Sequence, residues 1–260
     1  MPLVDYEVRG RVAVITLADP DKRNMLSEPM VAELVAAVDR AESSDEIGAI
    51  VVTGAPPAFC AGASLGQLGQ AGEGARAGGG PGVRGVYEAF LRFSRCALPT
   101  VAAVNGAAVG AGMNLALCCD VRLVGASARF DTRFLELGLH PGGGHTWMLQ
   151  RAVGQQTALA MVLFGQVLRG PEAAARGLAW SCHPDAEVVG AAVELASRVA
   201  SAPPELARRV KQTLRTVATI DDHAAAVDTE LEAQVWSLAQ PWFAERLAAV
   251  QKRVSGRAKS

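Results

Sequence analysis

Apolar residues follow two different periods along the first third of this chain. Val12, Val14 and Ile15 flank the turn signal Arg9-Gly10-Arg11, so residues 8–17 read as a β-hairpin. Ser27 is a helix N-cap type, and Pro29 falls in the first turn behind it. Met30, Val31, Leu34, Val35 and Val38 then return at every third or fourth position, with Glu33 and Asp39 off that face. That spacing predicts an amphipathic helix. An uninterrupted apolar run from Ala49 to Thr53 predicts a buried strand, and Thr100 to Val104 predicts another, leading into a short buried helix that ends at Cys118-Cys119-Asp120. Alternation of strand and helix favours a layered α/β architecture with parallel strands.

Two stretches break the alternation. Gly69 to Gly85 is so rich in glycine that a mobile, unpacked loop is expected there. From Pro171 onward the pattern is mainly helical: Pro171 to Arg176, Ala186 to Ala200, Pro204 to Val217 and Asp222 to Leu238. Pro241-Trp242 interrupts, and a last helix runs to about Arg253.

Composition narrows the class. The chain has 260 residues, half of them hydrophobic and a fifth charged, which suits one substantial folded core. A formal net charge of −1 gives no electrostatic footprint for nucleic acid. Cys60, Cys96, Cys118, Cys119 and Cys182 have no paired CxxC spacing, so neither a disulfide framework nor a metal site is expected, and buried thiols in a reducing cytoplasm are the plain reading. Met1 to Glu7 lacks the basic-then-apolar pattern of a signal peptide. Cys96 to Cys119 is uncharged and long enough to span a bilayer. It also carries Pro99, Asn105, Gly106, Gly110, Gly112 and Asn114, so a buried strand, turn and helix explain it better than membrane insertion.

The densest chemical signal is Asn105-Gly106-Ala107-Ala108-Val109-Gly110-Ala111-Gly112-Met113-Asn114-Leu115, where a strand turns into a helix. Glycines there let backbone N–H groups approach a ligand closely, and the helix N-terminus adds positive potential, a setting suited to a developing oxyanion. A second segment, Ala58-Phe59-Cys60-Ala61-Gly62-Ala63-Ser64-Leu65, also follows a strand. With Leu98-Pro99-Thr100, Cys119-Asp120, Leu137 to Gly144 and Arg151-Ala152-Val153-Gly154, it makes the chain resemble the crotonase superfamily, the enoyl-CoA hydratase/isomerase family, from about Val12 to Arg253.

The resemblance implies a fold and a chemistry. The fold is an α/β spiral of ββα units over residues 1–195, holding an acyl-CoA site, with a C-terminal helical region over 196–260 that builds a homotrimer or a hexamer of two trimers. Coenzyme A enters as part of the substrate, with no separate cofactor and no metal. Two backbone N–H groups hold the thioester carbonyl oxygen; mapped here they belong to Ala63 and Ala111. The hydratases of the family add two glutamates, and those positions carry Asn114 and Phe134, neither of which exchanges protons near neutral pH. Other ionisable groups near them are Asp131, Glu136, His140 and His145. Two residues past Phe134, Glu136 is expected to point away from that position on a helix and to serve as a surface or ion-pair carboxylate. For CoA itself the resemblance points to Lys22 and Arg23 near the phosphates, the Ala61 backbone at the adenine, and Lys252 and Arg253 on the last helix. Two readings stay open. One is an enzyme for a specialised acyl-CoA, including an isomerase or hydrolase, with its acid or base among those four side chains. The other is an acyl-CoA-binding protein without catalysis.

Overall fold

From the third strand to the eighth, successive strands of this protein alternate between two sheets. The computed structural model describes residues 2–76 and 84–257. Its strands are β1 (Val4–Arg9), β2 (Val12–Leu17), β3 (Ala49–Gly54), β4 (Ala58–Cys60), β5 (Thr100–Val104), β6 (Ala107–Val109), β7 (Val121–Gly125), β8 (Arg129–Asp131), β9 (Leu168–Arg169) and β10 (Ser181–His183). The larger sheet has the order β1-β2-β3-β5-β7-β10 and the smaller one β4-β6-β8-β9. Only β1 on β2 and β9 on β8 are antiparallel. From β3 to β8 each turn of the chain thus adds one strand to each sheet and then helix, the expected spiral of ββα units.

The helices are α1 (Glu28–Glu42), α2 (Leu65–Arg76), α3 (Arg84–Arg95), α4 (Ala111–Cys118), α5 (His145–Val162, broken at Gly154), α6 (Gly170–Ala175) and α7 (Val188–Ala200), followed by α8 (Pro204–Val217), α9 (His223–Leu238) and α10 (Pro241–Arg257). The chain divides into two compact units at Ser201/Ala202, the second being the last three helices.

Strand periodicity decides how the larger sheet is covered. Val12 and Val14 of β2, Ala49 and Val51 of β3, and Val101 and Ala103 of β5 face one side, where Val188, Ala192, Ala196 and Ala200 of α7 pack on them. The alternate residues Ala13, Ile15, Leu17, Ile50, Val52, Ala102 and Val104 face the main core with α1, α3 and α4. The in-register pairs Val12↔Ala49 and Ala13↔Ile50 keep the two sets apart. Ser27 caps α1, accepting from the Met30 N–H, and Met30, Val31, Leu34 and Val38 are buried as the helical spacing predicts.

Polar residues in the family-like motifs pin strand ends. The Asp120 carboxylate accepts from the Thr100 N–H at 2.8 Å and its hydroxyl at 2.9 Å, tying the starts of β5 and β7. Asn105 donates to the Gly54 carbonyl at 2.6 Å, joining the ends of β5 and β3.

Three expectations need correction. The loop expected over Gly69 to Gly85 is helical on both sides of residues 77–83, which lie outside the described residues: α2 runs through Arg76, and α3 begins at Arg84. Glycine weakens a helix by about 1 kcal/mol per residue without forbidding one; Leu68 and Ala71 are half-buried along α2. The short strand β10 was not expected between the helical segments. Pro241 also starts the last helix instead of interrupting it, since proline fits a first helical turn.

Candidate active site

Between α2, α3 and the N-terminus of α4 lies a cavity of about 520 Å³. Its wall includes Lys22, Arg23, Ala61, Ala63, Ala111, Asn114, Phe134, Glu136 and His140, so nine of the residues singled out in the sequence meet in one place.

Two backbone segments approach closely on this wall. The Leu26 N–H donates to the Gly62 carbonyl at 2.8 Å, and Leu26 pairs with Ala63 in a parallel bridge. Alternate residues of a bridged strand direct their N–H groups to opposite sides, so with Gly62 and Ser64 facing Leu26 the Ala63 N–H is directed away from it. Ala111 is the first residue of α4, one of the N-terminal positions whose N–H has no acceptor within the helix. Gly62 lets the segments meet: at φ +90°, a Cβ there would stand 2.5 Å from the Val109 carbonyl oxygen and 3.3 Å from the Ala111 nitrogen.

One helical turn beyond Ala111, Asn114 is locked by two hydrogen bonds. Its amide nitrogen donates to the Gly142 carbonyl at 3.0 Å, and its oxygen lies 2.7 Å from His145 Nδ1. A carbonyl only accepts, so the amide orientation is fixed, and His145 must carry its proton on Nδ1 and donate to Asn114. His145 Nε2 then bears a lone pair, buried without a partner among the described residues. Burial pushes the His145 pKa down to about 4, so the ring is neutral at ordinary pH. The Phe134 ring stands edge-on to it, centroids 4.9 Å apart. Asn114, His145 and Phe134 thus bring a neutral amide, a neutral imidazole and a phenyl ring together.

The remaining candidates separate. Asp131 is buried in β8 and accepts from Arg133 at 2.6 Å, off the cavity wall. Glu136 is in a turn, not on a helix as expected, and lines the cavity, with its carboxylate 3.6 Å from Arg133 and largely exposed. His140 is exposed at the cavity, with Nδ1 2.7 Å from the Pro141 carbonyl oxygen. His145, expected within a turn, is instead the buried first residue of α5.

At the other end, a smaller cavity of about 330 Å³ shares Arg23, Ala58, Ala107 and Arg129 with the first and adds Arg169. The Ala61 N–H donates to the Arg23 carbonyl at 2.9 Å, so these two expected CoA contacts are neighbours. Lys252 is exposed on α10 in the second unit, and the Arg253 side chain lies outside the described residues.

Sequence reasoning missed three contributors. Asn24 is fully buried, with its amide donating to Ala55 O and Ala58 O at 2.8 Å each, and so clamps the Arg23 segment to the β3–β4 connection. Arg129 lies in a strand too short to stand out, and Tyr87 of α3 lies beyond the glycine-rich stretch. Among the described residues, no group of three metal-ligating side chains gathers, and no helix is long and apolar enough to cross a membrane.

Comparison with known proteins bears on the family and the fold. The sequence model of the enoyl-CoA hydratase/isomerase family matches residues 7–248. A Mycobacterium tuberculosis protein named "Probable enoyl-CoA hydratase EchA14" is 51% identical over 251 residues, 95% of this chain and 96% of its own. The 2,3-dehydroadipyl-CoA hydratase of Escherichia coli is 35% identical over 206 residues, 79% of this chain and 78% of its own. The crystal structure of enoyl-CoA hydratase from Bacillus anthracis superposes with a TM-score of 0.89 at 26% identity, covering 96% of each chain. With a family match across nearly its whole length and the same spiral of ββα units, the chain belongs to the crotonase superfamily, in its enoyl-CoA hydratase/isomerase family.

Proposed function

We propose that this protein is an acyl-CoA enzyme that polarises a thioester carbonyl between the N–H groups of Ala63 and Ala111, and that it is not a hydratase of simple enoyl-CoA. The observation that carries this reading is the close approach of the two backbone segments at Gly62, beside a cavity lined by both alanines. An oxyanion held by two preorganised donors lowers the cost of an enolate next to the thioester, and one such donor contributes about 3 kcal/mol in other enzymes. Arg23, Arg129 and Arg169 give the adjoining cavity guanidinium groups suited to phosphate, and Lys22 adds a further cation, so the CoA diphosphate belongs at that end. Lys252 and Arg253 remain assigned to CoA through assembly. Of the four candidate acid/base groups, Glu136 and His140 are the two on the cavity wall, and they are the ones assigned to proton transfer. The second reading, an acyl-CoA-binding protein without catalysis, draws on the neutral Asn114–His145 pair at the family's reaction centre.

The protein is further assigned to the cytoplasm and to fatty-acid or related acyl-CoA metabolism. It assembles as a trimer or hexamer through the last three helices, where Leu231, Val235, Leu238, Phe243 and Leu247 stay exposed.

The test is Ala111→Pro. Proline is tolerated at a first helical position but removes the N–H donor. Bound 2,4-hexadienoyl-CoA should show a red-shifted absorbance in the unaltered protein, because a polarised carbonyl draws electrons along the diene. The variant should keep its circular dichroism and lose the shift. An equal shift in both proteins overturns the assignment of Ala111.

A further inference from the structure

We propose that Tyr87 is a substrate-binding residue whose hydroxyl, together with the second N–H of Asn114, holds an oxygen atom on the β-carbon of the acyl chain. This rests on the acyl-CoA reading above and deepens it.

Five observations converge on this site. Tyr87 lies on α3, and its side chain lines the same cavity as Ala63, Ala111 and Asn114. Its ring packs on the buried Phe90, with centroids 5.4 Å apart, so the ring is held and its hydroxyl has a defined direction. That hydroxyl stands directly over Gly142, where a Cβ would overlap it. Gly142 is also the residue whose carbonyl fixes the Asn114 amide, so both polar groups abut one residue. Tyr87 forms no hydrogen bond among the described residues, whereas the Thr132 hydroxyl on the same wall is spent on the Met161 carbonyl at 3.1 Å.

Position along the chain of the ligand follows from α4. Asn114 is three residues, about 4.5 Å, along the helix from the Ala111 N–H. A thioester oxygen at Ala111 therefore leaves the carbons next to the carbonyl opposite the Asn114 amide. That amide has two N–H donors, and Gly142 takes one. The other donor and the Tyr87 hydroxyl, which donates or accepts, make a two-point neutral site on a wall that also carries the apolar side chains of Val86, Val109, Leu137 and Leu139. A hydroxyl on the β-carbon is satisfied there, whereas a saturated chain leaves both protein groups unmet.

The experiment compares binding of butyryl-CoA and of the better-bound enantiomer of 3-hydroxybutyryl-CoA by calorimetry, in the unaltered protein and in Tyr87→Phe. Phenylalanine keeps the ring on Phe90 and removes the hydroxyl alone. The variant should bind the hydroxy ester about five- to ten-fold more weakly and bind butyryl-CoA within two-fold of the unaltered protein. If butyryl-CoA binds and Tyr87→Phe affects both esters or neither, the role of Tyr87 is overturned while the acyl-CoA reading stands. If neither ester binds the unaltered protein, the acyl-CoA reading falls, and this inference with it.

Discussion

His145 should make the N-terminal unit sensitive to mild acid. Its pKa is pushed down to about 4 by burial, against an ordinary value of 6.5. The geometry opposes protonation as well, because a proton on Nε2 would be a buried charged donor with no acceptor among the described residues. Above pH 6.5 the ring is neutral whether the chain is folded or unfolded. Between 6.5 and about 4 the unfolded chain takes up a proton that the folded one refuses, so stability is lost as pH falls through that window. At about 1.4 kcal/mol per pH unit the full loss is about 3 kcal/mol, and about 2 kcal/mol of it has gone by pH 5. The ring is 1% exposed, so solvent screening takes little from that figure. The comparison is His145→Asn, whose amide nitrogen stands where Nδ1 donates to Asn114 but does not titrate. Both proteins would carry Trp236→Phe and Trp242→Phe, leaving Trp147 and Trp180 of the first unit to report urea unfolding by fluorescence. From pH 7.5 to pH 5, the protein with His145 should lose about 2 kcal/mol more than the variant. Parallel losses, or a His145 ring proton that titrates near 6.5 by NMR, would refute the reasoning.

Other outcomes follow from the same geometry. Crotonyl-CoA hydration by the unaltered protein should be weak, and Asn114→Glu with Phe134→Glu should raise it about 10²-fold or more; an ordinary hydratase rate without them would move attention to Glu136. Asn24→Asp turns two N–H donors into a carboxylate facing the Ala55 and Ala58 carbonyls, and should cost about 3 kcal/mol by urea unfolding at pH 7. Light scattering at micromolar protein should give the mass of a trimer or hexamer, and a clean monomer would count against assembly through the last three helices.

Much of this architecture was written in local patterns. Val12 to Leu17, Ala49 to Thr53 and Thr100 to Val104 are apolar on both faces because α7 covers one side of the sheet and the main core the other. The α1 face and its Ser27 cap were equally plain. Residues 65–76 were illegible because glycines that suggest a loop weaken a helix without forbidding one. At the cavity, Ala63 and Ala111 were singled out through the family resemblance, and both line one wall. His145 was found as a residue, but its bond to Asn114 spans 31 positions and has no local signature. Tyr87 and Asn24 were missed for the same reason, since their roles depend on Gly142 and on the Ala55 and Ala58 carbonyls, remote in sequence.

The stitching of residues 23–26 to 61–63 gives the cavity one rigid wall. Ala61 donates to Arg23, Leu26 donates to Gly62, and Asn24 anchors the stretch between them. On the proposed reading, the cation at the phosphate end and the Ala63 amide at the thioester end ride on that one ladder, which works as a caliper for the carrier between them. Variation in the acyl group must then be absorbed by the opposite wall, at Leu68, Val86 and Tyr87 on α2 and α3. Handle and cargo are thereby recognised by separate pieces of backbone, so substitutions on those two helices can redirect which acyl group is accepted while the grip on the carrier is left alone.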